Sequence, residues 1–132
     1  MTFGLDTSVV LRLLTGQPQE LAAHALARYQ EGIANGDSFC VSDIVASETY
    51  YAIQNHYGKT KGEALSALKR FSSGEGISFS RNFAAAINTP NLHRANPGFV
   101  DRMLASGYRE QGQITLSCEK SFKRLSDTEV IS

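Results

Sequence analysis

Apolar residues recur along the chain in two patterns, and each pattern predicts a different kind of element. Longer segments carry apolar residues at helical spacing, as between Gln17 and Gly36, where Leu21, Ala25, Leu26 and Tyr29 share one predicted stripe. Shorter apolar runs typical of strands stand between the helices, at residues 2–5, 38–41, 76–80, 113–117 and 129–131. Short strands that alternate with helices favour βαβ units, with a parallel sheet covered by helices on both faces.

This alternation predicts one domain over residues 1–132, with an α/β fold of three layers, α/β/α. The central sheet is expected to be small and parallel, with four or five short strands. Residues 89–98 show neither pattern and are interpreted as a loop rather than as a domain boundary. Parallel strands joined by right-handed crossovers place a ligand crevice at the carboxyl ends of the strands.

Composition argues against several classes of protein but does not indicate a function. No apolar stretch approaches the roughly 20 residues of a membrane span, and no secretory signal pattern is present at the N-terminus. Cys40 and Cys118 form neither a disulfide framework nor a metal-ligand spacing, so both thiols are expected to be buried in a cytoplasmic protein. The formal net charge of zero does not indicate a nucleic-acid binder, although a local basic patch remains compatible with it.

Two acidic residues directly follow predicted strands. Asp6 stands between the first strand and a helix, where an N-cap role alone would explain it. Glu119 follows the strand at residues 113–117 and opens a short helix, where an acid also has a structural use. Because carboxyl ends of parallel strands share one edge of the sheet, both residues are also expected at the ligand-binding edge.

Two further acids lie within predicted helices. Glu48 is three or four positions from Ile44 and Tyr51, which predicts that it lies on or against a buried stripe where an unpaired carboxylate is costly. Asp101 lies early in another helix, where an acid complements the helix dipole. Four carboxylates in one crevice would repel one another unless a cation or protons neutralised them, and oxygen ligands suit Mg²⁺ or Mn²⁺. Such a centre favours metal-assisted phosphodiester hydrolysis.

Four segments, in order, resemble the PIN-domain ribonucleases, specifically the VapC-like toxins of type II toxin–antitoxin pairs: LDTSVVLRLLTG, VSDIVASETYYAI, GFVDRMLAS and TLSCEKSFKRL. The resemblance runs nearly end to end and is weakest between residues 72 and 96. It implies a PIN-like fold and an endoribonuclease that uses Mg²⁺ or Mn²⁺. It also implies a small antitoxin partner whose C-terminal segment occludes the acidic cleft, and a homodimer.

The resemblance assigns roles to individual residues. It implies a catalytic set of Asp6, Glu48, Asp101 and Glu119. Asp6, Asp101 and Glu119 would hold the metal, and Glu48 would orient or deprotonate the attacking water. The supporting hydroxyls fall at Ser8 and Ser117. Arg12 and Arg102 are candidates for phosphate contact, since each lies within two turns of a proposed ligand.

Alternative functions stay open because Glu119 stands where the family usually has Asp. One extra methylene displaces a carboxylate by more than about an ångström, which is enough to misplace a ligand. The chain could therefore be a catalytically weak PIN-like module that binds RNA or its antitoxin. An aspartyl-phosphate phosphatase with Asp6 as nucleophile is disfavoured, because the familiar enzymes of that class have a D-x-D motif, and here Ser8 occupies the third position of the motif.

Overall fold

The computed structural model describes residues 1–131, which fall into two compact units. The first unit, Met1–Ser80, contains β1 (Thr2–Gly4), α1 (Thr7–Thr15), α2 (Gln19–Ala34), β2 (Ser38–Val41), α3 (Asp43–Asn55), α4 (Lys61–Ser72) and β3 (Ile77–Phe79). The second unit begins at Arg81 and contains α5 (Arg81–Ile87), α6 (Phe99–Glu110), β4 (Thr115–Ser117) and β5 (Thr128–Val130), with 3₁₀ turns at Leu92–Arg94 and Lys120–Arg124.

All five strands are parallel, as predicted, but they form two sheets rather than one. The first unit holds a three-stranded sheet in the order β1-β2-β3, with Gly4 opposite Cys40 and Val41 opposite Phe79. In the second unit β4 pairs with β5, and the ladder is extended by the Ile131 N–H, which donates to the Ser117 carbonyl at 2.8 Å. The two sheets belong to different units, and the single-domain assignment stays a prediction.

Polar residues at the strand ends start the helices of the first unit. The Asp6 carboxylate caps α1, and the Ser42 hydroxyl caps α3 by accepting from the Val45 N–H at 3.2 Å. The Asp6 cap was expected from sequence, since short polar side chains satisfy the free N–H groups of the first turn. Asp6 lies two residues after β1 and Ser42 directly after β2, so α1 and α3 both begin at the carboxyl edge of the sheet.

The buried face of α3 differs from the predicted one. Its fully covered residues are Ala46, Thr49, Tyr50 and Ile53. Ile44 is 74% exposed and Tyr51 50% exposed, and Glu48 lies with them on the exposed side. The prediction that Glu48 lies on or against a buried stripe was wrong, because the packing of α1 and α4 on α3 leaves another face of the helix buried.

Helix α2 also turns a different face inward than its leucines predict. Leu21 and Leu26 are about half exposed, whereas Ala22 and Gly32 are buried. A Cβ placed on Gly32 would lie 2.4 Å from the Phe39 ring, so glycine permits the close approach of α2 to β2. Backbone proximity, rather than leucine packing, therefore fixes this helix on the sheet.

Aromatic residues form the core of the second unit. Phe83 of α5 and Phe99 of α6 meet edge to face, with ring centroids 5.7 Å apart, and Met103 is buried on the same helix. Phe122 is buried in the 3₁₀ turn that follows β4. Helix α6, which carries Asp101, packs near β4, and Glu119 lies two residues after that strand.

The cysteine prediction was partly wrong, since Cys118 is exposed and Cys40 only half-buried. Cys118 lies directly after β4, beside the exposed Glu119. Across the described part of the chain, none of the helices combines the length and apolarity needed to cross a bilayer.

Candidate active site

Asp6 lies where β1 ends and α1 begins, and Ser8 holds its carboxylate. The Ser8 hydroxyl donates to Asp6 Oδ2 at 2.8 Å, and the Ser8 N–H donates to the same oxygen at 3.4 Å. The pKa of Asp6 is lowered, first by the Ser8 hydroxyl and then by the backbone N–H groups of Ser8 and Thr7. These donors stabilise the charged carboxylate at an exposed position. The predicted supporting residue Ser8 thus contacts the first acid directly.

Glu48 is joined to the same segment through Thr7. The Thr7 hydroxyl donates to Glu48 Oε1 at 2.9 Å, although the two residues are 41 positions apart in sequence. Thr7 is the first residue of α1, and Glu48 lies in the second turn of α3. The first unit therefore brings Glu48 against the residue that directly follows Asp6.

Asp101 lies in the first turn of α6 and is half-buried. Its pKa is raised, first by burial and then by the negative charge of Glu119. The environment thus disfavours the charged carboxylate, despite the favourable helix dipole that the sequence suggested.

Glu119 is exposed and occupies the N-cap position of the Lys120–Arg124 turn, but its side chain makes no capping hydrogen bond. Its backbone N–H donates to the Ser117 hydroxyl at 3.0 Å. Ser117 therefore shapes the chain between β4 and Glu119, and the Glu119 carboxylate is not used as a cap.

The two candidate arginines differ in how they are held. Arg102 is half-buried, and its Nε donates to the Pro97 carbonyl at 2.7 Å, which fixes the guanidinium beside the start of α6. Arg12 is half-buried in the last turn of α1. Neither observation tests phosphate binding, so both roles stay predictions.

Comparison with known proteins identifies the family. The model of the PIN domain matches residues 4–127 of the chain. This chain belongs to the PIN domain family. The α/β PIN-like fold class expected from the sequence is thereby confirmed, and PIN domains are generally nucleases.

A solved structure is also similar to this PIN domain. It is described as "Crystal structure of VapBC2 from Rickettsia felis bound to a DNA fragment from their promoter", and it is 20% identical, with 100% of both chains covered and a TM-score of 0.41. A search of curated proteins with this sequence found no match.

The acids of this PIN domain occur as two pairs, one in each unit. In the first unit, Thr7 follows Asp6 and hydrogen-bonds to Glu48. In the second unit, the charge of Glu119 contributes to the raised pKa of Asp101. Within residues 1–131, no group of three or more His, Cys, Asp or Glu side chains forms a ready metal site. Carboxylate pairs nevertheless fit Mg²⁺, which is commonly held by one or two carboxylates and keeps several waters.

Thr7 makes a contact to a candidate site residue that the sequence did not predict. The DTS segment suggested one supporting hydroxyl, at Ser8, whereas the structure gives each of its two hydroxyls a different carboxylate. The available signal was the parallel pairing of β1 with β2, because it starts α1 and α3 side by side. Identifying Glu48 as the partner of Thr7 requires the packed helices.

Proposed function

We propose that this PIN domain is a Mg²⁺- or Mn²⁺-dependent endoribonuclease and acts as the toxin of a toxin–antitoxin pair. The observation that carries the proposal is the family match over residues 4–127, a range that includes Asp6, Glu48, Asp101 and Glu119. The nuclease activity typical of the family needs such acids, and the four-segment resemblance to VapC-like toxins narrows the substrate to RNA.

The donor chemistry supports a divalent cation. Asp101 has a raised pKa because burial and the Glu119 charge both oppose its ionisation, and a bound cation would relieve both effects. As the resemblance implies, the proposed ligands are Asp6, Asp101 and Glu119. A bound Mg²⁺ or Mn²⁺ would polarise the scissile phosphate and lower the pKa of a coordinated water.

The remaining residues act on the water and the phosphate. Glu48 accepts a proton from the attacking water, or orients it, with Oε1 occupied by Thr7. Ser8 keeps the Asp6 carboxylate charged and aligned, and Ser117 sets the backbone that carries Glu119. Arg12 and Arg102 are proposed to contact RNA phosphates.

The proposed partners rest on the sequence resemblance. They are an RNA substrate, a small antitoxin that covers the acidic residues, and a second copy of the chain in a homodimer, all in the cytoplasm. A short reading frame immediately upstream of the coding sequence would supply the antitoxin.

The decisive experiment measures RNA cleavage by the purified protein with Mg²⁺ or Mn²⁺, with and without EDTA. Asp6→Asn and Asp101→Asn should each abolish cleavage while the fold is retained. Asp127→Asn is the matched control, since Asp127 pairs with Arg109 at 3.4 Å and has no assigned role in the site. Cleavage that persists in EDTA, or that survives both substitutions, would refute the proposal.

A second candidate function is supported by the residue at position 119. The exposed Glu119 is one methylene longer than the Asp usual in the family, which favours a module that binds RNA or antitoxin with little cleavage. RNA binding without metal-dependent cleavage, measured on the same protein, would select this alternative.

A further inference from the structure

Two neighbouring hydroxyls behind Asp6 have separate targets. Ser8 donates to Asp6 within its own helix start, whereas Thr7 donates across to Glu48 on α3. The Ser8 contact is local and follows from N-cap geometry. The Thr7 contact joins two helices, and a capping role does not account for it.

Glu48 needs an external restraint to hold one position. It lies on the exposed side of α3, where a glutamate side chain samples several rotamers and loses conformational entropy when it is fixed in one of them. Among the described residues, the Thr7 hydroxyl is its one protein hydrogen-bond partner, and Oε2 has none. Thr7 therefore selects the rotamer and leaves one carboxylate oxygen open.

The backbone of Thr7 is itself well fixed. Thr7 is the first residue of α1, directly after the Asp6 cap, and β1 is paired with β2 up to Gly4 and Cys40. Helix α1 packs on α3 within the same unit, so the hydroxyl has a defined approach to Glu48. A β-branched residue such as threonine has few χ1 rotamers, which keeps the donor aimed.

We propose that Thr7 is a positioning residue that holds the Glu48 carboxylate in one rotamer, with Oε1 occupied and Oε2 presented to the attacking water. This inference rests on the proposed nuclease function for its effect on rate, but the restraint itself is a property of the first unit alone. The experiments below measure the effect on rate and the restraint on Glu48 separately.

Kinetics of RNA cleavage with Mg²⁺ test the effect on rate. Thr7→Val keeps the shape and removes the hydroxyl, and we expect kcat to fall by about tenfold with KM within about twofold, because a displaced general base slows the reaction. Thr7→Ser restores the donor and should stay within about twofold of wild type in kcat, since hydrogen bonding is retained. Thr15→Val removes a hydroxyl from the other end of α1, where Thr15 donates to the Leu11 carbonyl, and should leave kcat unchanged. In a Glu48→Gln background, Thr7→Val should have no further effect.

A second measurement needs neither metal nor RNA. Three-bond scalar couplings of Glu48 in isotope-labelled, metal-free protein report its χ1 distribution. We expect one rotamer in wild type and Thr7→Ser, and averaging in Thr7→Val.

Each outcome separates the two claims. Averaged couplings in wild type, or unchanged couplings in Thr7→Val, would overturn the positioning role. Equal kcat for Thr7→Val and Thr7→Ser in an active enzyme would also overturn it. If the couplings behave as expected but no variant cleaves RNA, the nuclease proposal fails and the positioning of Glu48 by Thr7 stands.

Discussion

Replacing Asp101 by Asn removes one charge from the pair that Asp101 forms with Glu119. The pKa of Asp101 is raised in the folded protein, first by burial and then by Glu119, so its ionisation costs folding free energy at neutral pH. Asparagine keeps the size of the side chain without that cost. The metal-free Asp101→Asn protein should therefore be more stable than wild type at pH 7.

The expected gain is modest because Glu119 is exposed and solvent screens its charge. A repulsion comparable to a surface pair is about 0.5 kcal/mol. For a chain of 132 residues, the typical unfolding entropy converts this to a rise in Tm of about 2 °C. The sign depends on pH: the cost is absent below the unfolded pKa, near 3.9, grows through the interval up to the folded pKa and is constant above it.

Metal binding should reverse the order of the Tm values of wild type and Asp101→Asn. Binding to the native state at a hundred times Kd adds about 2.7 kcal/mol, which for this chain length is a rise of roughly 10 °C in wild type. Asp101→Asn should lose most of that rise, because it lacks a proposed ligand, while starting from the higher baseline.

Thermal melts at pH 7 and pH 3, with and without millimolar Mn²⁺, measure both effects. The control is Asp127→Asn, which removes an acid paired with Arg109 and should lower or maintain Tm while keeping the metal shift. If wild type shows no shift with Mn²⁺ and Asp101→Asn melts lower than wild type, Asp101 is a helix-stabilising acid and the metal site is refuted.

Three other substitutions test separate parts of the structure. Thr49→Val should raise the free energy of unfolding by about 1 kcal/mol and Tm with it, because Thr49 is fully buried and its hydroxyl has no partner within residues 1–131. A lower Tm would show that a partner exists. Ser8→Ala should have a lower Tm than wild type at pH 7 in metal-free buffer. The difference in Tm should shrink as acid protonates Asp6, because the lowered pKa of Asp6 contributes stability that is lost as the pH falls through the folded pKa. A difference that stays constant from pH 7 to pH 2 would contradict this. Glu119→Asp should increase metal-dependent cleavage several-fold if the longer side chain misplaces a ligand. Unchanged or lower cleavage would show that the site has adapted to glutamate.

Local chemistry accounts for what the sequence predicted well. Asp6 and Ser42 combine a capping side chain with an apolar run before it, and both signals lie within a few residues. The strand ends, the helix starts and the position of Asp6 relative to the sheet follow from them. The Ser8 contact was similarly accessible, because it connects residues two positions apart.

Tertiary packing decided what the sequence could not predict. Helix α3 has apolar residues on every side, so periodicity alone does not distinguish the face of Ile44 and Tyr51 from that of Ala46 and Ile53. Helices α1 and α4 pack on α3, and the face that carries Ala46 and Ile53 is the buried one. The same packing brought Thr7 to Glu48, a pairing without any local signal.

The double use of Asp6 has an evolutionary consequence. Asp6 both starts helix α1 and supplies a proposed ligand, whereas Glu48 and Glu119 are exposed and cap nothing. Loss of the Asp6 side chain would therefore weaken the fold as well as the chemistry, because α1 would lose its N-cap. A lineage released from selection for cleavage would keep Asp6 and drift first at the two glutamates. The glutamate at position 119 lies at one of the positions where such drift costs the fold least.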